Sequence, residues 1–177
     1  MLYDVVSRSN FQRVAVPSGI GYCVDSPPTN ALVTSELAAE LRRALERFSR
    51  EAGYSAARPV GIFFKPGTVG HHKVGRAADI YSVGGFGLDI WKKRWVDAMA
   101  RAAQSRDLQA RHGVEREERR RNLGWRLYKA LQLHGRWAQP YGYPIQLFGP
   151  WTRSEGPWSF ISDALLHAHR DHIHVAK

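Results

Sequence analysis

The chain has 177 residues, 44% of them hydrophobic and 11% aromatic, enough for one domain with a sizeable core, so composition excludes disorder as the default. No run of about 18 apolar residues is present, which excludes a membrane-spanning helix. The formal charge is +10, and residues 86–140 carry +7 of it, with 13 Lys/Arg against 6 Asp/Glu, a segment suited to polyanionic partners. Cys23 is the only cysteine, so no internal disulfide forms, and it reads as a small buried hydrophobe. The first residues show neither the basic stretch nor the apolar stretch of a conventional signal peptide.

Residues 1–33 mix short apolar runs with turn residues at Pro17-Ser18-Gly19 and Ser26-Pro27-Pro28-Thr29-Asn30, which predicts irregular structure with one edge strand. Thr34 is a suitable N-cap for a helix that carries Leu37, Leu41, Leu45, Phe48 and Ala52 on one stripe and stops at Gly53. Val60-Gly61-Ile62-Phe63-Phe64 reads as a strand ended by Lys65-Pro66-Gly67. A second strand is expected over 75–83, with Gly84-Gly85 turning the chain.

From Leu88 the apolar period becomes helical, with Trp91, Trp95, Ala98, Met99 and Ala102 on one stripe and Leu123, Leu127, Ala130, Leu131 and His134 on another. The tryptophans are expected to pack in the core. Between the two helices, Glu115-Arg116-Glu117-Glu118-Arg119-Arg120-Arg121 reads as a solvated helix laced by Glu115 with Arg119 and Glu117 with Arg121, each pair worth about a few tenths of a kcal/mol. A polyanion-binding ridge is the sharper reading of the same run. Residues 139–144 break the helical region, Ile145-Gln146-Leu147-Phe148 resumes an extended pattern, and Phe160, Ala164 and Leu165 form an expected buried stripe. The fold class is therefore α+β: a small antiparallel sheet flanked by helices in a single domain, with 86–140 as a basic helical insertion.

Six of the eight histidines fall in two short segments, Gly70-His71-His72-Lys73-Val74-Gly75-Arg76-Ala77-Ala78-Asp79 and His167-Ala168-His169-Arg170-Asp171-His172-Ile173-His174. Alternation along the first strand puts Ala77, Asp79 and Tyr81 on one face, with His72 on the loop before it, and alternation in the second puts His172 and His174 on one face. If the two strands pair, His72, Asp79 and His174 converge. Two imidazoles and one carboxylate leave a fourth tetrahedral position open, the donor set of a catalytic zinc. His71 is the register alternative to His72, and His167 and His169 either border the cleft or cap a helix end, with exposure the expectation for each.

The pattern His72-x-x-Gly75-x-Ala77-x-Asp79 followed by Asp171-His172-x-His174 resembles the LAS metallopeptidases, a family of D-alanyl-D-alanine peptidases, murein endopeptidases, phage endolysins and the zinc-binding hedgehog domain. The resemblance covers two short blocks. It implies Zn2+ held by His72, Asp79 and His174, with Asp171 or His172 as general base. On an ideal strand Asp171 points away from His174 and serves as base only if the chain bends before His172, whereas His172 needs no bend; the preferred assignment is Asp171 as base with His172 stabilising the developing oxyanion, and the reverse stays open at this point. The family has Ser two residues before the first ligand where this chain has Gly70, and it holds a substrate carboxylate with an upstream cation, for which Arg58, Lys65 and Arg76 are candidates.

By that resemblance the expected reaction is hydrolysis of amide bonds in peptidoglycan stems or cross-links, in the periplasm or cell wall, reached by injection, lysis or non-classical export. An immunity protein or secretion machinery would then be a partner. Two other classes compete. Asp171-His172-Ile173 resembles the opening of an HNH nuclease motif, but only three residues follow His174, too few for the rest of that motif, so nucleic acid is not the expected substrate. A non-catalytic zinc module for wall binding would keep the ligands and tolerate loss of Asp171 and His172.

Overall fold

A computed structural model describes residues 24–25, 34–53, 60–63, 70–73, 75–138, 146–155 and 161–177. The elements run β1 (Val24–Asp25), α1 (Ser35–Ala52), β2 (Val60–Phe63), α2 (Gly70–Lys73), β3 (Ala77–Val83), β4 (Phe86–Gly87), α3 (Leu88–Gln104), α4 (Leu108–Arg121), α5 (Leu123–His134), β5 (Leu147–Phe148), α6 (Thr152–Glu155), α7 (Asp163–Ala168) and β6 (Ile173–Ala176). The expectations for Arg58, Lys65, Cys23, Phe160 and residues 139–144 lie outside the described residues.

The sheet order is β1-β2-β3-β6-β5, with β4 pairing the end of β3. β2, β3, β6 and β5 are antiparallel neighbours, and short β1 adds a parallel edge. The β3–β4 hairpin closes through Gly84 and Gly85, both at positive φ (66° and 80°), the backbone a two-residue turn between twisted strands demands and one that glycine adopts without strain. Along the central strands alternate residues part company: Ala78, Ile80, Ile173 and Val175 are fully buried. They join a core with Leu37, Leu41, Leu45 and Phe48 of α1, Leu88, Trp91 and Trp95 of α3, and Leu127, Tyr128 and Leu131 of α5. Each buried Ile, Leu or Val contributes about 1.5–3 kcal/mol, so this face fixes which way β3 and β6 present their other residues.

α1 begins and ends where its composition says it should. The Thr34 side chain accepts from Leu37 N at 3.2 Å, and Gly53 takes the left-handed C-cap position. Thr34 N also donates to Gly75 O at 2.8 Å, tying the start of this core helix to the approach to β3.

The segment 86–140 is helical where described, as expected, but it divides into three helices, and two of them are core elements. α3 and α5 bury their stripes, Met99, Leu123 and His134 only partly, and α5 lies against α1. Only α4 stands outside, packed on α3 with one buried side chain, Glu118. The Glu117–Arg121 pair forms, Arg120 joins it, and Glu118 turns inward to Arg94 and to Asn122 Nδ2 (2.7 Å), so this run is not wholly solvated. The buried stripe expected around Ala164 and Leu165 does not form: the six-residue helix α7 buries no residue, Ala164 is exposed and Leu165 half-buried. No helix among the described residues is long and apolar enough to cross a membrane.

Candidate metal centre

β3 and β6 pair with Asp79 directly opposite His174, on the face opposite Ala78, Ile80, Ile173 and Val175. His72 arrives from the other side. It sits on the helical turn α2, not on a loop as expected, and the turn ends at Gly75 (φ 67°), whose left-handed backbone lets Gly75 N donate to His72 O (3.1 Å) and Arg76 N to His71 O (2.9 Å). The same glycine delays β3 to Ala77, two residues later than the expected start.

Three atoms face one another. His174 Nδ1 lies 2.9 Å from Asp79 Oδ1, His72 Nε2 lies 3.2 Å from His174 Nδ1, and His72 Nε2 lies 3.4 Å from Asp79 Oδ1. Tetrahedral ligands about 2.1 Å from a zinc-sized ion stand about 3.4 Å apart, so these separations are close to those of three ligands sharing one ion. Protons alone satisfy the trio badly. Both imidazoles can donate to Asp79 only if His72 Nε2–H and His174 Nδ1–H meet head-on at 3.2 Å, and either ring turned acceptor leaves a lone pair against the carboxylate. The His72, Asp79 and His174 group can hold a metal ion.

Electrostatics point the same way. Asp79 is only 3% exposed. Burial pushes its carboxyl up, but hydrogen bonds from His174 and His72, and their charge, outweigh it and hold the group well below the usual carboxylate range. A buried carboxylate kept ionised needs a cationic partner, and a metal ion supplies one. His72 Nδ1 is buried with no partner among the described residues.

Asp171 and His172 lie beside the trio. The chain bends through residues 169–172 before β6, so His172 and His174 share the open face while Ile173 and Val175 enter the core. His172 Nε2 lies 3.8 Å from Asp79 Oδ1, and its Nδ1 lies 2.8 Å from Asp171 Oδ1. Asp171, 55% exposed, is held low by the hydrogen bond from His172. The structure thus puts His172 between the trio and Asp171. Tyr81, on the Asp79 face of β3, packs its ring 4.9 Å from that of His172. Phe148 stacks along His174 at 6.0 Å.

Arg76 does not reach the trio: it is half exposed and lies 3.8 Å from Glu36 Oε2. Lys65 is outside the described residues. His71 is half-buried beside the site, with burial and then the charges of His174 and Arg76 lowering its pKa. His167 is exposed as expected.

His169 is the residue the expectation misplaced. Its ring packs 5.0 Å from His172, 5.4 Å from His174 and 5.3 Å from Phe148. Its Nδ1–H donates to Leu165 O at 2.8 Å, which leaves Nε2 as the acceptor, and burial pushes its pKa down to about 4. The spacing His169-x-x-His172-x-His174 was the available signal, but strand alternation alone does not carry a residue five positions away around a bend.

Fold and site together define an α+β domain with a half-buried cluster of two histidines and one aspartate on its sheet that can hold a metal ion. Comparison with protein-family models, curated proteins and solved structures finds no match to this chain.

Proposed function

We propose that the protein is a zinc-dependent hydrolase of amide bonds in the peptide stems or cross-links of peptidoglycan, with a site resembling that of the LAS metallopeptidases. The observation that carries this reading is the convergence of His72 Nε2, Asp79 Oδ1 and His174 Nδ1 beside a His172–Asp171 pair. Two nitrogens and one oxygen at near-tetrahedral spacing favour zinc over the hard cations that prefer all-oxygen shells. When bound, zinc would polarise a carbonyl and make water acidic enough to attack at neutral pH.

The chain's own groups supply the proton traffic. Asp171 accepts from His172 Nδ1–H and so fixes the tautomer that leaves Nε2, on the side of Asp79, free to take a proton from the attacking water. The same nitrogen then returns the proton to the departing amine. Tyr81 and His169 flank the His172 ring and limit its rotation. In this reading His172 is the general base and Asp171 the group that orients it.

Digestion of purified peptidoglycan sacculi tests the proposal. Wild type is expected to release muropeptides with new peptide termini, and His174→Ala is expected to release none. Equal release by both, or release of glycan fragments alone, would overturn it.

A further inference from the structure

α4 is a helix that the core does not need. It buries only Glu118, while its apolar residues Leu108 and Val114 are 60% and 36% exposed. Polar contacts attach it: Arg94 to Glu118 at 3.2 Å, Asn122 Nδ2 to Trp91 O at 2.9 Å, and Arg111 Nε to Ser105 O at 2.5 Å. Its composition therefore answers to something outside the fold.

Between α3 and α4 lies a cleft of about 520 Å³ lined by Arg94, Arg101, Val114, Glu117, Glu118 and Arg121. Arg94 and Glu118 neutralise each other, and Glu117 is shared by Arg120 and Arg121. Arg101 in the cleft, and Arg106 and Arg116 beyond it, are exposed with no ion-pair partner among the described residues. Positive charge is thus in excess. Within 86–140 it comes from ten arginines and only three lysines. The guanidinium fork matches the paired oxygens of a phosphate, and the cleft has the volume of a small-ligand site. α4 packs on α3 and α5, on the helical side of the sheet, while the metal centre faces the other way.

We infer that the α3–α4 cleft binds a phosphodiester-linked anionic polymer of the cell wall and holds the catalytic face near its substrate. The choice of a wall polymer rests on the proposed peptidoglycan activity. The binding does not.

Co-sedimentation with cell walls that carry such a polymer, and with the same walls stripped of it by hydrofluoric acid, tests the inference. Wild type and His174→Ala should both bind intact walls and release from stripped ones. Arg101→Glu/Arg121→Glu should bind intact walls at least about tenfold more weakly, the loss of two charge-assisted contacts. It should still digest stripped walls at the wild-type rate. Arg101→Glu alone, at an exposed residue without an ion-pair partner, should show part of the same loss with an unchanged melting temperature. Equal binding to stripped walls, unchanged binding by the charge-reversed variants, or tighter competition by duplex DNA than by the soluble polymer would overturn the inference. If wild type binds the polymer yet digests no wall, the hydrolase reading fails and this one stands.

Discussion

The two faces of β3 and β6 use the same backbone for opposite ends. On one, Ala78, Ile80, Ile173 and Val175 are sealed against α1, α3 and α5. On the other, one residue along in each case, Asp79, Tyr81, His172 and His174 gather polar groups into a cluster that can hold a cation. The pleat puts stability and chemistry on adjacent residues, so a rigid apolar face can hold imidazoles within tenths of an ångström of shared-ligand spacing. The lesson is that substitutions one position apart should fail in different ways.

The largest effect is expected on the open face. His172→Ala should lower muropeptide release by about 10²- to 10⁴-fold, the usual worth of a general base, while leaving metal content and melting temperature unchanged. Asp171→Asn should lose less, about 10- to 100-fold, as for a group that orients another. If Asp171→Asn proves the more damaging, Asp171 is the base and His172 its helper.

On the sealed face, Ile173→Ala, between those two histidines, should cost about 2–5 kcal/mol in denaturant unfolding yet keep one metal site per folded chain. Smaller still is Gly124→Ala at the start of α5. There an added Cβ would meet Trp91 Cβ at 2.6 Å and Trp151 Cη2 at 2.7 Å, so about 1–3 kcal/mol of overpacking is expected with no change in metal affinity. Loss of metal in either variant would show that the two faces are not separable.

Much of this division was legible before any coordinates. The His72 to Asp79 spacing, the His172 and His174 alternation, and the Thr34 and Gly53 caps each follow from a local period or a local hydrogen bond, and each appears in the structure. The places where the reading fell short depend on what packs against what. His72 rides a helical turn because Gly75 can close it, and His169 reaches the site because the chain bends before β6. Glu118 turns inward because Arg94 and Asn122 wait for it on neighbouring elements. None of these contacts is periodic, so no pattern announces them.

The central claim is a single metal ion shared by His72, Asp79 and His174, and elemental analysis with zinc titration of the purified chain tests it most directly. One zinc per chain is predicted for wild type, none for His174→Ala or Asp79→Ala at an equal folded fraction, and weaker binding as acid protonates the imidazole ligands. Zinc bound equally by wild type and both variants, or by none of them, would contradict the account.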